Sequence, residues 1–260
     1  MSAARMPALF VGHGSPMNAI EDNAFRRQWQ ALGRELPKPR AILCISAHWE
    51  TRGIYLSATA TPETIHDFYG FPKALFDVRY PAPGSPSLAQ RVADLLQAQH
   101  AVHLDPGRGL DHGAWSVLLA LYPRADVPVV QLSLDMRQPA AFHYGLGRAL
   151  APLRDEGILV LGSGNAVHNL YVFDFHRPQP YDWALACDAR WRRSLEAGDH
   201  AALIDYAQNF GDNTRLAVPT AEHYYPLLYP LALQQPDETL RLFNTAVLSS
   251  LSMSSFVLGA

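Results

Sequence analysis

Short apolar runs in this chain stop abruptly on small residues. Ala8-Leu9-Phe10-Val11 runs into Gly12, Ala41-Ile42-Leu43-Cys44-Ile45 into Ser46, and Ile158-Leu159-Val160-Leu161 into Gly162. Such runs, without polar alternation, read as strands buried on both faces, as in a parallel sheet. Between them apolar residues recur at helical spacing, as at Leu88, Val92, Leu95 and Leu96 behind the start signal Ser85-Pro86. The pattern predicts strand 6–11, helix 22–36, strands 41–46 and 53–60, helices 85–99 and 113–122, strand 127–134, helix 139–155, strand 158–162, helix 181–208, a short helix near 224–232, and strands 240–248 and 253–258. Pro128 opens one strand, where a missing N–H is tolerated, and Gly157 ends a helix before the next strand. Strand and helix alternate through the first two-thirds, which predicts an α/β fold with a mostly parallel central sheet and helices on both faces. The last two strands are expected to pair antiparallel at an edge.

Composition narrows the class. The 260 residues are enough for one domain, 1–260, and no repeat, linker or low-complexity tract divides them. A net charge of −3, without a basic run, gives no footprint for nucleic acid or an anionic membrane. No apolar stretch is long enough for a bilayer, and the segment 1–7 lacks the apolar core of a signal peptide. The two cysteines, Cys44 in a predicted buried strand and Cys187 in a predicted helix, suit a reducing cytoplasm. Cys44 reads as a small buried hydrophobe rather than a reactive thiol.

The eleven histidines carry the candidate chemistry. Each apolar run above leads to one: His13 between Gly12 and Gly14, His48 after Ser46-Ala47, and His168 after Gly162-Ser163-Gly164-Asn165-Ala166-Val167. Carboxyl ends of parallel strands border the ligand crevice, so imidazoles delivered there can converge on a divalent metal. His223, in a predicted loop, would complete three neutral imidazoles with His13 and His48, leaving metal positions open for substrate or water. Glu50, two residues beyond His48, is a candidate outer acceptor for it if the chain stays extended. His112 sits at a predicted helix start behind the capping residue Asp111, a setting that suits a base or hydrogen-bond partner.

The Gly162-Ser163-Gly164 string is neither a dinucleotide fingerprint, since Val167 stands where a third glycine belongs, nor a serine-hydrolase elbow. Its small residues are expected to let His168 approach the crevice. The longest irregular region, 61–84, holds His66-Asp67-Phe68-Tyr69-Gly70-Phe71. Phe68, Tyr69 and Phe71 are costly to leave exposed and are expected to pack, either in the core or as a substrate wall over the metal. His66, His100, His103, His143, His176 and His200 fall on predicted helix surfaces or loops and read as solvated or structural.

Six ordered strings resemble the 4,5-DOPA extradiol dioxygenase family, of the class III, protocatechuate 4,5-dioxygenase type. They are Gly12-His13-Gly14-Ser15-Pro16, Ser46-Ala47-His48-Trp49-Glu50, Asp67-Phe68-Tyr69-Gly70-Phe71-Pro72, Leu110-Asp111-His112-Gly113, Gly162-Ser163-Gly164-Asn165-Ala166-Val167-His168-Asn169-Leu170 and Pro219-Thr220-Ala221-Glu222-His223-Tyr224-Tyr225-Pro226-Leu227-Leu228. The resemblance spans residues 7 to about 258 and implies the same α/β fold. It implies His13, His48 and His223 as metal ligands and His168 as catalytic base, and it allows His168 as a fourth ligand of a zinc-filled resting site. His223 stands where superfamily members with a 2-His-1-carboxylate site place a glutamate, so Zn(II) suits the imidazoles as well as Fe(II). The function implied is Fe(II)-dependent extradiol cleavage, by O₂, of a catechol such as 3,4-dihydroxyphenylalanine, with His112 hydrogen-bonding the oxygen. A zinc hydrolase using Glu50 or Glu222 to activate water, and a non-catalytic metal- or aromatic-binding protein, are the alternatives.

Overall fold

The computed structural model describes residues 5–177 and 179–260. Its strands are β1 (Ala8–Gly12), β2 (Ala41–Thr51), β3 (Ile54–Ser57), β4 (Val102–Asp105), β5 (Val129–Asp135), β6 (Ile158–Gly164), β7 (Leu240–Phe243), β8 (Val247–Leu248), β9 (Leu251–Ser252) and β10 (Ser255–Leu258). Eight of them form one sheet in the order β4-β3-β5-β2-β6-β1-β10-β7, and β8 and β9 form a separate hairpin. The central pairs β5–β2, β2–β6 and β6–β1 are parallel. At the edge β10 runs antiparallel to β7, as the sequence predicts, and also to β1.

Successive residues of a strand face opposite ways, and here both faces are apolar and covered. The helices are α1 (Ala24–Glu35), α2 (Lys73–Phe76), α3 (Pro86–Leu96), α4 (His112–Leu121), α5 (Ala140–Ala149), α6 (Pro152–Asp155), α7 (Asp182–Glu196), α8 (His200–Ile204), α9 (Tyr206–Phe210), α10 (Thr214–Ala217) and α11 (Leu228–Leu231). On one face Trp29 and Leu32 of α1 and Trp115 and Leu118 of α4 join Leu9, Val11, Ile42, Cys44 and Leu159. On the other, Val92 of α3, Leu146 of α5 and Trp191 of α7 join Phe10, Leu43, Val130 and Val160. Burying such a side chain contributes roughly 1.5–3 kcal/mol. The central strands can therefore carry polar residues at their ends.

Several boundaries differ from the pattern-based expectation for identifiable reasons. The strand expected at 41–46 continues through His48 to Thr51. Its register against β5 shifts between Ile45 and Glu50, and Ser46 Oγ accepts the His48 N–H at 3.2 Å. His48 therefore sits in an irregular strand, not in a turn beyond one. Helix 139–155 breaks ahead of Pro152, which lacks the N–H a continuous helix needs. Helix 181–208 becomes three pieces, interrupted by Gly198 at φ +66° and restarted by Asp199 and Asp205, whose carboxylates cap α8 and α9. Strand 240–248 ends where Asn244 takes φ +51°. The half-exposed β4 has no apolar run to announce it, and it places His103 on a strand rather than on a helix surface or loop. His143 is fully buried on α5, with Nδ1 2.9 Å from the Tyr229 hydroxyl. Cys44 and Cys187 are both buried and free. Among the described residues no helix is long and apolar enough to cross a membrane.

Candidate functional site

The adjacent strands β2, β6 and β1 end at one edge of the sheet, and the histidines gather there. His13 follows β1 directly; its N–H donates to the Gly164 carbonyl at 3.0 Å, and Gly14, at φ +60°, turns the chain away. His48 lies beside α4, where a Cβ at Gly113 would meet its ring carbon Cδ2 at 2.8 Å, so only glycine fits. The buried Asp111 ties the two elements together. Its Oδ1 accepts from Ser46 Oγ at 2.7 Å and caps α4 through the Ala114 N–H at 3.1 Å, while its Oδ2 accepts from Arg108 at 2.9 Å and Gln131 at 2.7 Å. His112, the first residue of α4, thus stands beside His48.

His223 arrives from far along the chain, and the glycines of β6 seat it. A Cβ on Gly164 would meet the His223 carbonyl oxygen, and one on Gly162 that of Pro226. The Asn165 N–H then donates to the His223 carbonyl at 2.8 Å. The expectation that these small residues admit His168 is corrected here: they admit the backbone of 223–226.

The rings of His13, His48 and His223 form a near-equilateral triangle, with centroid separations of 5.1, 5.3 and 5.0 Å. Imidazoles bound to one ion at about 2.1 Å and at angles of about 90–109° would have centroids roughly 4.5–5.3 Å apart. The His13 and His48 Nε2 atoms are 3.2 Å apart, within the roughly 3.0–3.4 Å that the same geometry requires. Two other pairs are too close to share an ion in this way: His48 with His112 at 3.8 Å, and His168 with His223 at 3.5 Å and 6° between planes. His112 and His168 lie against ligand candidates rather than completing the triangle, although His112 brings one nitrogen within 4.8 Å of its neighbours' nitrogens.

Proton bookkeeping supports the same set. Ser163 Oγ donates its only hydrogen to the Gly113 carbonyl at 2.6 Å, so it must accept from His13 Nδ1 at 3.0 Å. The carboxylate of Glu222 accepts from His223 Nδ1 at 3.0 Å, and that of Asp67 faces His48 Nδ1 at 3.9 Å. The Nδ1 atoms of His13 and His223 are held by outer hydrogen-bond partners and that of His48 faces a carboxylate, an arrangement that favours a lone pair on each Nε2 for a cation. Burial, reinforced by neighbouring histidines, lowers His13 and His223 well below the usual imidazole value and His48 to about 4. All three are therefore neutral at pH 7, as ligands must be. The donor set fits a divalent transition metal.

Other expected site residues fall less uniformly. His168 is held by its N–H to the Ala217 carbonyl at 2.8 Å, and burial, then His48, lowers its ring to about 4. Glu50 is exposed, and burial and Glu222 raise its carboxyl. The carboxylate beside His48 is Asp67, not Glu50. Asp67 also accepts the ring Nδ1–H and the backbone N–H of His112, both at 2.9 Å. Burial works against its charge, yet the bonds from His112 prevail and hold it at about 2. Sequence reading passed over Asp67 as a partner. Phe68 packs edge-on to His112 at 5.5 Å and to Phe71 at 5.3 Å. Tyr69 is 90 % exposed, so the expectation that all three aromatics pack fails for it. Its hydroxyl keeps the tip hydrated, and the ring stands out on the turn at Gly70, φ +77°.

A three-layered α/β fold with a histidine cluster at the carboxyl edge of its sheet now meets its relatives. Residues 7–215 match the family model described as the catalytic LigB subunit of aromatic ring-opening dioxygenase. The chain belongs to this family and is an extradiol ring-cleavage dioxygenase. It is 49% identical over 268 aligned positions to the 4,5-DOPA dioxygenase extradiol of Escherichia coli K12, covering 100% of this chain and 97% of that one. It is 43% identical to the 4,5-DOPA dioxygenase extradiol of Beta vulgaris, covering 84% and 83%. A crystal structure of an uncharacterized Escherichia coli K12 protein, 44% identical, superposes with a TM-score of 0.85 and covers 97% of this chain and 99% of that one. Family membership displaces the zinc-hydrolase and non-catalytic readings.

Proposed function

We propose that this enzyme is a non-haem Fe(II)-dependent dioxygenase that opens the ring of a catechol such as 3,4-dihydroxyphenylalanine beside its diol. His13, His48 and His223 are the metal ligands. The observation that carries this reading is the triangle of imidazole rings of His13, His48 and His223, 5.0–5.3 Å apart, with the Nε2 atoms of His13 and His48 3.2 Å from one another. The named substrate of the Escherichia coli and Beta vulgaris relatives supports a DOPA-like catechol. Ferrous iron, when bound, supplies the one-electron chemistry that side chains lack for joining a catechol to O₂.

The chain's own residues handle protons, orientation and water. His168, neutral because burial lowers it to about 4, accepts the proton of a catechol hydroxyl. His112, with Nδ1–H given to Asp67, offers Nε2 as an acceptor and so hydrogen-bonds the oxygen when that oxygen carries a proton. Phe68 and Phe71 wall the ring, exclude water and leave Tyr69 at the rim. The whole chain, 1–260, acts as one catalytic domain, and a cytoplasmic location accords with its two free buried cysteines.

The test is anaerobic reconstitution with Fe(II) or Zn(II), then a panel of catechols in an oxygen electrode. One O₂ consumed per catechol with iron, and none with zinc, is expected. Iron and catechol binding without O₂ uptake would sink the reading. The aromatic loop gives a second check. Tyr69→Ala should raise the catechol KM while stability changes by less than about 0.5 kcal/mol, as for a surface site. Phe68→Ala, which loses contacts with Phe71, Phe76 and Trp115, should cost about 3 kcal/mol. A Tyr69→Ala KM within twofold of the native value removes that ring from the pocket.

A further inference from the structure

We propose that Asp67 is the positioning residue that fixes the tautomers of both His48 and His112, holding each ring's proton on Nδ1 so that Nε2 faces the metal position bare. The inference rests on the assignment of His48 as a ligand and His112 as the oxygen partner. One carboxylate spans the two: Oδ1 lies 2.9 Å from His112 Nδ1 and 2.9 Å from the His112 backbone nitrogen, and Oδ2 lies 3.9 Å from His48 Nδ1. A carboxylate can only accept, so neutral His112, in hydrogen-bond contact, carries its proton on Nδ1, and at 3.9 Å the same negative charge favours an Nδ1–H on His48 without a direct hydrogen bond. The rings of His48 and His112, 3.8 Å apart, are thereby oriented as a pair.

Asp67 belongs to the same loop that carries Phe68. That loop is anchored to α4 independently, since Trp115 Nε1 donates to the Ile65 carbonyl at 2.7 Å and Phe68 packs on Trp115. Removing the charge therefore leaves the loop two other attachments. The bland alternative is that Asp67 is merely a third attachment, pinning the loop to the helix start. The two roles separate in Asp67→Asn, which keeps size and an oxygen for the backbone N–H. With that oxygen kept on the two His112 donors, its amide NH₂ faces His48 Nδ1, where it can only donate and so favours the opposite tautomer of that ring.

In the zinc-loaded protein, ¹⁵N–¹H correlation of the imidazoles should show an Nδ1 proton on both His112 and His48 natively and lose the one on His48 in Asp67→Asn. Zinc affinity, read by chelator competition, should fall by roughly 10–100-fold, the usual loss when an outer partner of a ligating histidine is removed. At saturating Fe(II), kcat should drop by at least about 100-fold with the catechol KM within threefold. Asp67→Glu should restore part of the zinc affinity and the native tautomer, and it serves alone should the asparagine variant fail to fold. Native tautomer and native zinc affinity in Asp67→Asn, with only a lower melting temperature, would overturn the proposal and leave Asp67 as a pin. Should the native enzyme open no catechol, the functional reading falls, while the tautomer and zinc measurements still judge Asp67.

Discussion

His223→Ala is expected to retain its fold, lose at least about tenfold of its metal and open no catechol. The backbone there stays seated, because it is held by the Asn165 N–H and by the absence of a side chain on Gly164, neither of which depends on the imidazole. What disappears is one corner of a triangle whose sides are 5.0–5.3 Å. Losing an outer partner costs a metal site roughly 10–100-fold, so losing a ligand should cost at least as much. His13→Ala and His48→Ala should behave alike. His112→Ala is the informative control: its ring sits 5.9 Å from His13 but only 3.8 Å from His48, outside the common geometry. It should keep its metal. Elemental analysis after dialysis, with circular dichroism to verify folding, decides the matter. Full occupancy in His223→Ala would remove that residue from the centre.

The second large effect is in turnover rather than binding. His168→Ala should keep iron and catechol while kcat falls by about 10²–10⁴-fold, the usual contribution of a positioned base. The ring lies parallel on His223 at 3.5 Å, so it can stand over bound substrate without sharing the ion in the manner of the triangle. Burial lowers its value from 6.5 to about 4, which means that the accepting, neutral form persists on mild acidification and is lost only as pH falls through about 4. An activity profile whose acid limb for this group lay near 6.5 would contradict that environment. If His168→Ala lost its iron instead, the residue would be a fourth ligand, and the base would have to be sought at His112.

The central fold and the principal imidazoles were legible because both depend on local patterns. Val11, Ile45 and Leu161 belong to uninterrupted apolar runs, and such runs are buried wherever they fall. The histidines at their ends inherit the edge of the sheet from topology alone. What local pattern does not carry is partnership across the fold. Asp67 and His112 touch although 45 positions apart, and Ser163 meets His13 over 150. Glu50 was attractive only because it was near His48 in sequence; the irregularity in β2 and the approach of the aromatic loop gave its place to Asp67. The breaks within 181–208 were more accessible. Asp199 and Asp205 are ordinary capping residues, and their signal was outweighed by a long apolar periodicity. Tyr69 shows the opposite failure, an aromatic side chain that no neighbour claims.

The way β6 receives the His223 segment bears on how the centre comes into being. Gly162 and Gly164 touch carbonyl oxygens of a stretch reached only after the chain has passed through six of the sheet's eight strands and α7 to α10. Contacts of such long range are entropically expensive to close and form late. No fragment lacking the final quarter of the chain can own the triangle of His13, His48 and His223, however well its sheet is formed. For the proposed centre, metal capture would thus report on tertiary closure: a molecule that has folded its strands but not docked residues 223–226 lacks the third imidazole of the triangle.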